Sequence, residues 1–204
     1  MLHGFIAFDT RGGPGRKLQT RPGTARAKVA QVTDFEQRGE MTRNAAKAGS
    51  ERAALKTAQI GRCGELLVQY RMLLRGVESA PMSTDSGVDL VAYTPFAAEP
   101  VTIQVKTNLK PKPGGGKGKA ALDWWIAEAS PAQFFALVDL ASERVWFFSR
   151  DDLAACAQQR SSGRFHLYMY TDATHQPKKT GRLAHVFEFE RYLLEHRAHA
   201  VFGG

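Results

Sequence analysis

Four polar residues stand in surroundings that make them costly unless they have partners. Asp89 lies inside the apolar run Val88–Val91, where a carboxylate loses its hydration without compensation unless it meets a partner or a metal. Gln104 and Lys106 lie in Val101–Thr107, VTIQVKT. In a strand, residues two apart share a face, so Gln104 and Lys106 point together while Ile103 and Val105 point to the other side. A hairpin with its turn near Phe96 or Ala97 sets Asp89 opposite Gln104 or Val105. Directly opposed Cβ atoms lie about 5 Å apart, so a carboxylate, an amide oxygen and an ammonium come within reach of one point. Glu65 is the fourth, in Gly61-Arg-Cys-Gly-Glu65. On a helix it neighbours Gly61, Val68 and Met72, at the flank of the apolar face, and the two glycines allow close approach to a sheet.

Hard oxygen donors in one place suit magnesium or manganese, with magnesium taking one or two carboxylates plus water and substrate phosphate. A lysine beside the metal can orient or deprotonate an attacking water, or stabilise the charge developing on phosphorus. Together these are the parts for metal-assisted phosphodiester hydrolysis.

The order Gly61-x-x-Gly64-Glu65, then Asp85-Ser-Gly-Val-Asp89-Leu-Val, then Ile103-Gln-Val-Lys106-Thr resembles the PD-(D/E)xK nuclease superfamily. Within it, the sequence is similar to the branch with Gln-x-Lys in the third motif, seen in a group I intron homing endonuclease family. The resemblance spans roughly residues 60–153. It implies an α/β (α+β) fold with a restriction-endonuclease-like core, a mixed β-sheet flanked by helices. It implies that Asp89 is the metal-binding aspartate and that Gln104 replaces the usual second acid. It further implies that the Val105 main-chain carbonyl and Glu65 join the Mg2+ or Mn2+ ligands, and that Lys106 is the catalytic lysine. The implied partner is DNA, with RNA left open. A homo-oligomer is also allowed, since double-strand cutters of this kind often need two sites. Val88 stands where the family has proline, and the amide at Gln104 removes one negative charge from the metal site. Asp85 reads as a turn residue. A nuclease fold that binds nucleic acid without cutting it is the alternative, and a partner-binding protein with a merely soluble basic tail is a third class.

Charge agrees with a phosphate-rich partner. The chain of 204 residues carries 28 Lys and Arg against 20 Asp and Glu, net +8. Residues 1–56 hold 11 bases and 5 acids; residues 57–204 hold 17 and 15. Segment 1–50 therefore reads as a basic, disordered arm, dense in Gly, Pro and Arg between Arg11 and Thr24. A nucleic-acid arm, a solvated linker and an upstream extension of a chain that starts at Met41 all remain open. Lys106, Lys110, Lys112, Lys117 and Lys119 form a second basic stretch, with no acid among them. From Lys110 to Lys119 it reads as a glycine-rich loop that lies along a phosphate backbone. It is no Walker loop, because no Gly-Lys-Ser/Thr follows a strand.

Residues 51–204 form the expected nuclease-like domain. A helix over 51–74 with a stripe at Ile60, Gly64, Leu67, Arg71 and Leu74 comes first, capped by Gly76. Strands follow over 88–93 and 101–107, then an open loop over 109–119, then strands over 134–140 and 145–149. A helix over 151–159, with Ser149 or Arg150 near its cap, a strand over 165–170 and a closing helix over 187–199 complete the pattern. Trp124, Trp125, Phe134 and Phe135 read chiefly as core, with base stacking as the functional reading. The two cysteines, Cys63 and Cys156, read as buried thiols. The histidines do not cluster as ligands, and no serine has a nucleophile-elbow context. No apolar run of about 18 residues marks a membrane span, so the expectation is a reduced, cytoplasmic protein with no membrane partner.

Overall fold

The computed structural model describes residues 54–84, 86–94, 99–114, 118–177 and 181–203. The expected basic arm, Asp85 and Lys117 fall outside the described residues. The folded unit spans Leu55–Gly204.

Helix α1 (Thr57–Leu73) runs through good helix formers without proline. It ends at Gly76, whose φ of 71° is one that a side chain would strain. The N–H groups of Arg75 and Val77 both return to the Met72 carbonyl, at 2.8 and 3.2 Å. The buried face is Gly64, Val68 and Met72, so the expected stripe is rotated, and Leu74 is exposed. The cause is steric. A Cβ on Gly64 would lie 1.9 Å from Thr107 Oγ1, so the helix backbone rests directly on the sheet at that residue. The residues four and eight further on then turn inward with it.

The strands in chain order are β1 (Glu78–Pro81), β2 (Leu90–Tyr93), β3 (Val101–Asn108), β4 (Lys112–Pro113), β5 (Ala120–Ala127), β6 (Phe134–Asp139), β7 (Arg144–Ser149), β8 (Gln159–Ser161) and β9 (Arg164–Tyr170). They form two sheets, β1-β2-β3-β6-β7 and β4-β5-β9-β8. In the first, β3 and β6 run parallel and the other neighbours antiparallel, so the sheet is mixed. The second is antiparallel throughout.

The first sheet is covered on both faces. On one, Leu90, Ala92, Ile103, Val105, Ala136, Val138, Val145 and Phe147 pack on Val68 and Met72 of α1 and on Leu194, Ala198 and Phe202 of the C-terminal helix. On the other, Phe135, Leu137, Trp146 and Phe148 meet Leu122, Trp124, Ile126, Phe165, Leu167 and Met169 of the second sheet. The order is helices, mixed sheet, antiparallel sheet: an α+β fold with a mixed sheet flanked by helices.

Three elements depart from the sequence reading. The described ends of the Gly/Lys stretch pair with each other: Lys112 and Pro113 pair with Ala121 and Ala120, and Gly114 N–H donates to Lys119 O at 3.1 Å. The closing helix is two pieces, a 3-10 helix (Val186–Tyr192) and α3 (Leu194–Phe202). They divide at Leu193, which bridges to Trp146 on edge strand β7. There the chain crosses from one core to the other, with Phe189 and Tyr192 between the sheets and Leu194 on the helical side. Helix α2 (Arg150–Cys156) starts as expected. Ser149 caps it, accepting from Asp152 N–H at 3.1 Å and donating its own N–H to Asp152 Oδ2 at 2.9 Å. It stops early because the Gln158 amide is drawn to β9, bonding Tyr168 O and N at 2.8 and 2.9 Å. Cys63, expected buried, is exposed; Cys156 is buried. Among the described residues no helix is long and apolar enough to cross a membrane.

Candidate functional site

The regular ladder between β2 and β3 ends at Leu90 opposite Ile103. At Asp89 the pattern breaks. Its N–H still donates to Ile103 O at 2.9 Å, but its own carbonyl accepts from Met82 N–H at 2.9 Å, on the β1 side. In a regular strand a residue's N–H and C=O face the same neighbour, so the chain is twisted at this residue. The side chain fills the gap: Asp89 Oδ2 accepts from Val105 N–H at 2.6 Å, a short charge-assisted bond. The carboxylate is thus pinned to the peptide that joins Gln104 to Val105.

Gly87 sets up this twist. Its φ is 81°, and a Cβ there would press on Pro131 Cδ at 3.0 Å and reach Gln104 Nε2 at 3.9 Å. The left-handed residue turns Val88 into the core between the sheets and delivers Asp89 to the sheet edge. Gln104 is buried, and among the described residues its Oε1 has no hydrogen-bond partner. An orphaned buried amide oxygen costs about 1–3 kcal/mol, so its presence needs a reason. Lys106, half-buried, follows on the same face of β3, since Gln104 and Lys106 stand beside Phe135 and Leu137 of β6. The Val105 N–H faces β2, so its carbonyl opens on the same edge.

Glu65 stands apart from these four. Its carboxylate pairs with Arg62 on its own helix at 2.7 Å. Its neighbour Gly64 sits on Thr107, on the Ile103/Val105 face of β3 and not on the face of Gln104 and Lys106. Among the described residues no group of three or more His, Cys, Asp or Glu could hold a metal. An oxygen-donor set here depends on Gln104 and the Val105 main chain. Lys110, Lys112 and Lys119 are exposed along the chain leading from β3 into the second sheet.

One supporting residue escaped the sequence reading. Arg150 opens α2, the wrong end of the dipole for a cation. Its guanidinium instead donates to the carbonyls of Glu128, Ser130 and Ala132, the last at 3.0 Å, and lies over the Phe135 ring. It therefore clasps the turn that carries Pro131 against Gly87. The misplaced charge at a helix start was the available signal. Of the four aromatic candidates, Trp124 and Phe135 are buried, Phe134 stacks on Phe147 at 5.1 Å, and Trp125 is exposed.

No family model and no curated protein matches the chain. Among solved structures, it is similar to the bacterial homing endonuclease I-Ssp6803I at 17% identity and a TM-score of 0.46, covering 72% of this chain and 91% of that one. It is also similar to MepB at 13% identity and a TM-score of 0.29, covering 57% and 85%.

Proposed function

We propose that this chain is a metal-dependent endonuclease that hydrolyses phosphodiester bonds in DNA, of the PD-(D/E)xK type with Gln-x-Lys in its third motif. One observation carries the reading. The buried, unpartnered Gln104 Oε1 lies next in sequence to the peptide that anchors the Asp89 carboxylate, with Lys106 on the same strand face.

The donors fit a divalent cation of the hard class: a carboxylate oxygen of Asp89, the Gln104 amide oxygen and the Val105 carbonyl; Glu65, paired with Arg62 on its own helix, is left out of this set. Such a cation, magnesium or manganese, supplies positive charge at the phosphoryl oxygens when bound. The Val105 N–H holds the Asp89 carboxylate in one orientation. Lys106 places its ammonium beside the same point, where it orients the attacking water and offsets the charge that grows on the phosphoryl group. Lys110, Lys112, Lys117 and Lys119 take backbone phosphates.

Nicking of supercoiled plasmid, with magnesium and with EDTA, is the test. Cleavage that needs the metal and fails in Asp89→Ala and in Lys106→Ala is expected. Equal rates in wild type and both variants would sink the assignment. A neutral amide in place of the second acid favours a second reading, a nuclease-type fold that binds nucleic acid without cutting it. That reading expects salt-sensitive binding that ignores magnesium and Asp89→Ala.

A further inference from the structure

The second sheet has a wet face whose aromatic rings the phosphodiester chemistry does not use. Along β9 the outward positions are Arg164, His166, Tyr168 and Tyr170, alternating with buried Phe165, Leu167 and Met169. Trp125 of β5 stands beside His166, their rings stacked at 4.0 Å and 7°. Trp125 remains 42% exposed as a residue. Tyr168 meets Tyr170 edge-on at 5.3 Å, and Tyr170 meets His175 at 4.3 Å. A groove of 410 Å³ runs along this row, lined by Lys112, Lys119, Asp123, His166, Tyr168 and Tyr170 among others.

An outward row of rings at alternate positions is expensive on a surface meant only for water. Its charge is chiefly basic at the two ends, with Asp172 near Lys119 as a neighbouring acid. Lys112 and Lys119 are exposed at the Tyr170 end and Arg164 at the Trp125 end. The acid on the β5 side, Asp123, sits 3.5 Å from His166 Nε2. Residues two apart on a strand are spaced about 6.6–6.8 Å along the backbone, and the Tyr168 and Tyr170 ring centroids lie 5.3 Å apart. Bases in a duplex lie about 3.4 Å apart along each strand and are covered by one another. An extended, unpaired strand can set a base on each ring; a duplex cannot.

We infer that the outward face of the β4-β5-β9-β8 sheet binds single-stranded nucleic acid. Bases stack on Trp125, Tyr168 and Tyr170, and phosphates lie against Lys112, Lys119 and Arg164. The inference deepens the nucleic-acid reading above and rests on its polymer class, but not on catalysis. The cleavage strand adjoins this sheet: Asn108, at the end of β3, donates its amide to the Asp123 carbonyl at 2.8 Å.

The experiment uses the full chain in EDTA with labelled oligo(dT), oligo(U) and a duplex of equal length, about 12 nucleotides. Of the three tryptophans, Trp124 and Trp146 are buried, so quenching of intrinsic fluorescence reports Trp125. Single strands are expected to bind more tightly than duplex and to quench. Trp125→Ala and Tyr168→Ala are each expected to raise Kd for the single strand by about 5- to 150-fold. The tighter of oligo(dT) and oligo(U) identifies the sugar. Absence of single-strand binding, or an unchanged Kd in Trp125→Ala, overturns the inference. If the ring variants fail to fold, the exposed pair Lys112→Glu/Lys119→Glu replaces them, and an unchanged Kd there overturns it equally. A chain that nicks plasmid but ignores Trp125→Ala loses this face and keeps the endonuclease reading. A chain that binds through Trp125 but never nicks does the reverse.

Discussion

The two sheets share one core and treat polar side chains in opposite ways. The five-stranded sheet is covered on both faces, and it sets three candidate site residues close together along and beside β3: Asp89, Gln104 and Lys106. Gln104 is buried, Asp89 accepts from the Val105 N–H, and Lys106 stands beside Leu137 of β6. The four-stranded sheet buries one face and leaves the other to solvent, so its polar and aromatic side chains come as a row. A buried site fixes a few atoms against one reacting group, because neighbouring atoms cannot shift without opening a void. A wet face presents many shallow contacts that tolerate sequence and register. On the two proposals, the covered sheet would carry the precise site and the wet face the grip, with the Lys112–Pro113 strand pairing to β5 between them.

The largest test of this contrast is Asp89→Asn. The amide keeps an oxygen for Val105 N–H, so the thermal midpoint is expected to stay near wild type while plasmid nicking falls by about 10³-fold, the loss of a few kcal/mol of charge stabilisation. A nicking rate within tenfold of wild type would break the claim that the covered sheet holds the chemistry.

Next in size is Gly64→Ala. The new Cβ meets Thr107 Oγ1 at 1.9 Å, so urea unfolding is expected to show a loss of about 1–3 kcal/mol. Adding Thr107→Ala should return part of it. A neutral Gly64→Ala would mean that α1 is not seated on β3 as described.

Gln104→Leu separates stability from function. Removing an orphaned buried amide should leave stability unchanged or raise it by about 1 kcal/mol, while nicking is lost. If the variant is instead strongly destabilised, Gln104 has a structural partner and the argument from its bare oxygen fails.

The smallest effect belongs to the wet face. Burial lowers the pKa of His166 from 6.5, against the upward pull of Asp123. The folded chain therefore binds this proton less readily than the unfolded chain. The contribution is fully present above about pH 6.5 and is lost as pH falls from there through the lower folded value. The midpoint should fall across that window, and His166→Gln should flatten the slope. An identical pH profile in the variant would show that His166 is as solvated as any surface histidine.

Some of this was legible before any coordinates. The two strands around Asp89 and Gln104, the shared face of Gln104 and Lys106, the Ser149 cap and the Gly76 stop were readable because they are local. Alternation, capping and left-handed turns act over two to four residues. The register was nearly readable too: Asp89 does reach the Gln104–Val105 peptide, but through a twisted residue and a side-chain bond and not through a regular ladder. Of the second sheet only the strand over 165–170, now β9, was legible. β4 is two residues long, β8 is polar throughout, and β5 pairs with β9 across more than thirty intervening residues. Nothing in Leu109–Lys119 says that the glycine-rich stretch closes a hairpin.

The sequence by itself determined which residues could do chemistry and which short segments would be helical or extended, because those choices are made by side-chain type and period. Tertiary packing decided the rest. It chose the face of α1 through the contact of Gly64 with Thr107, and it placed Glu65 beside Arg62 and off the Gln104 face. It left Trp125 exposed and buried Trp124, one residue away. These outcomes depend on which surfaces meet, and only a folded core brings distant surfaces together.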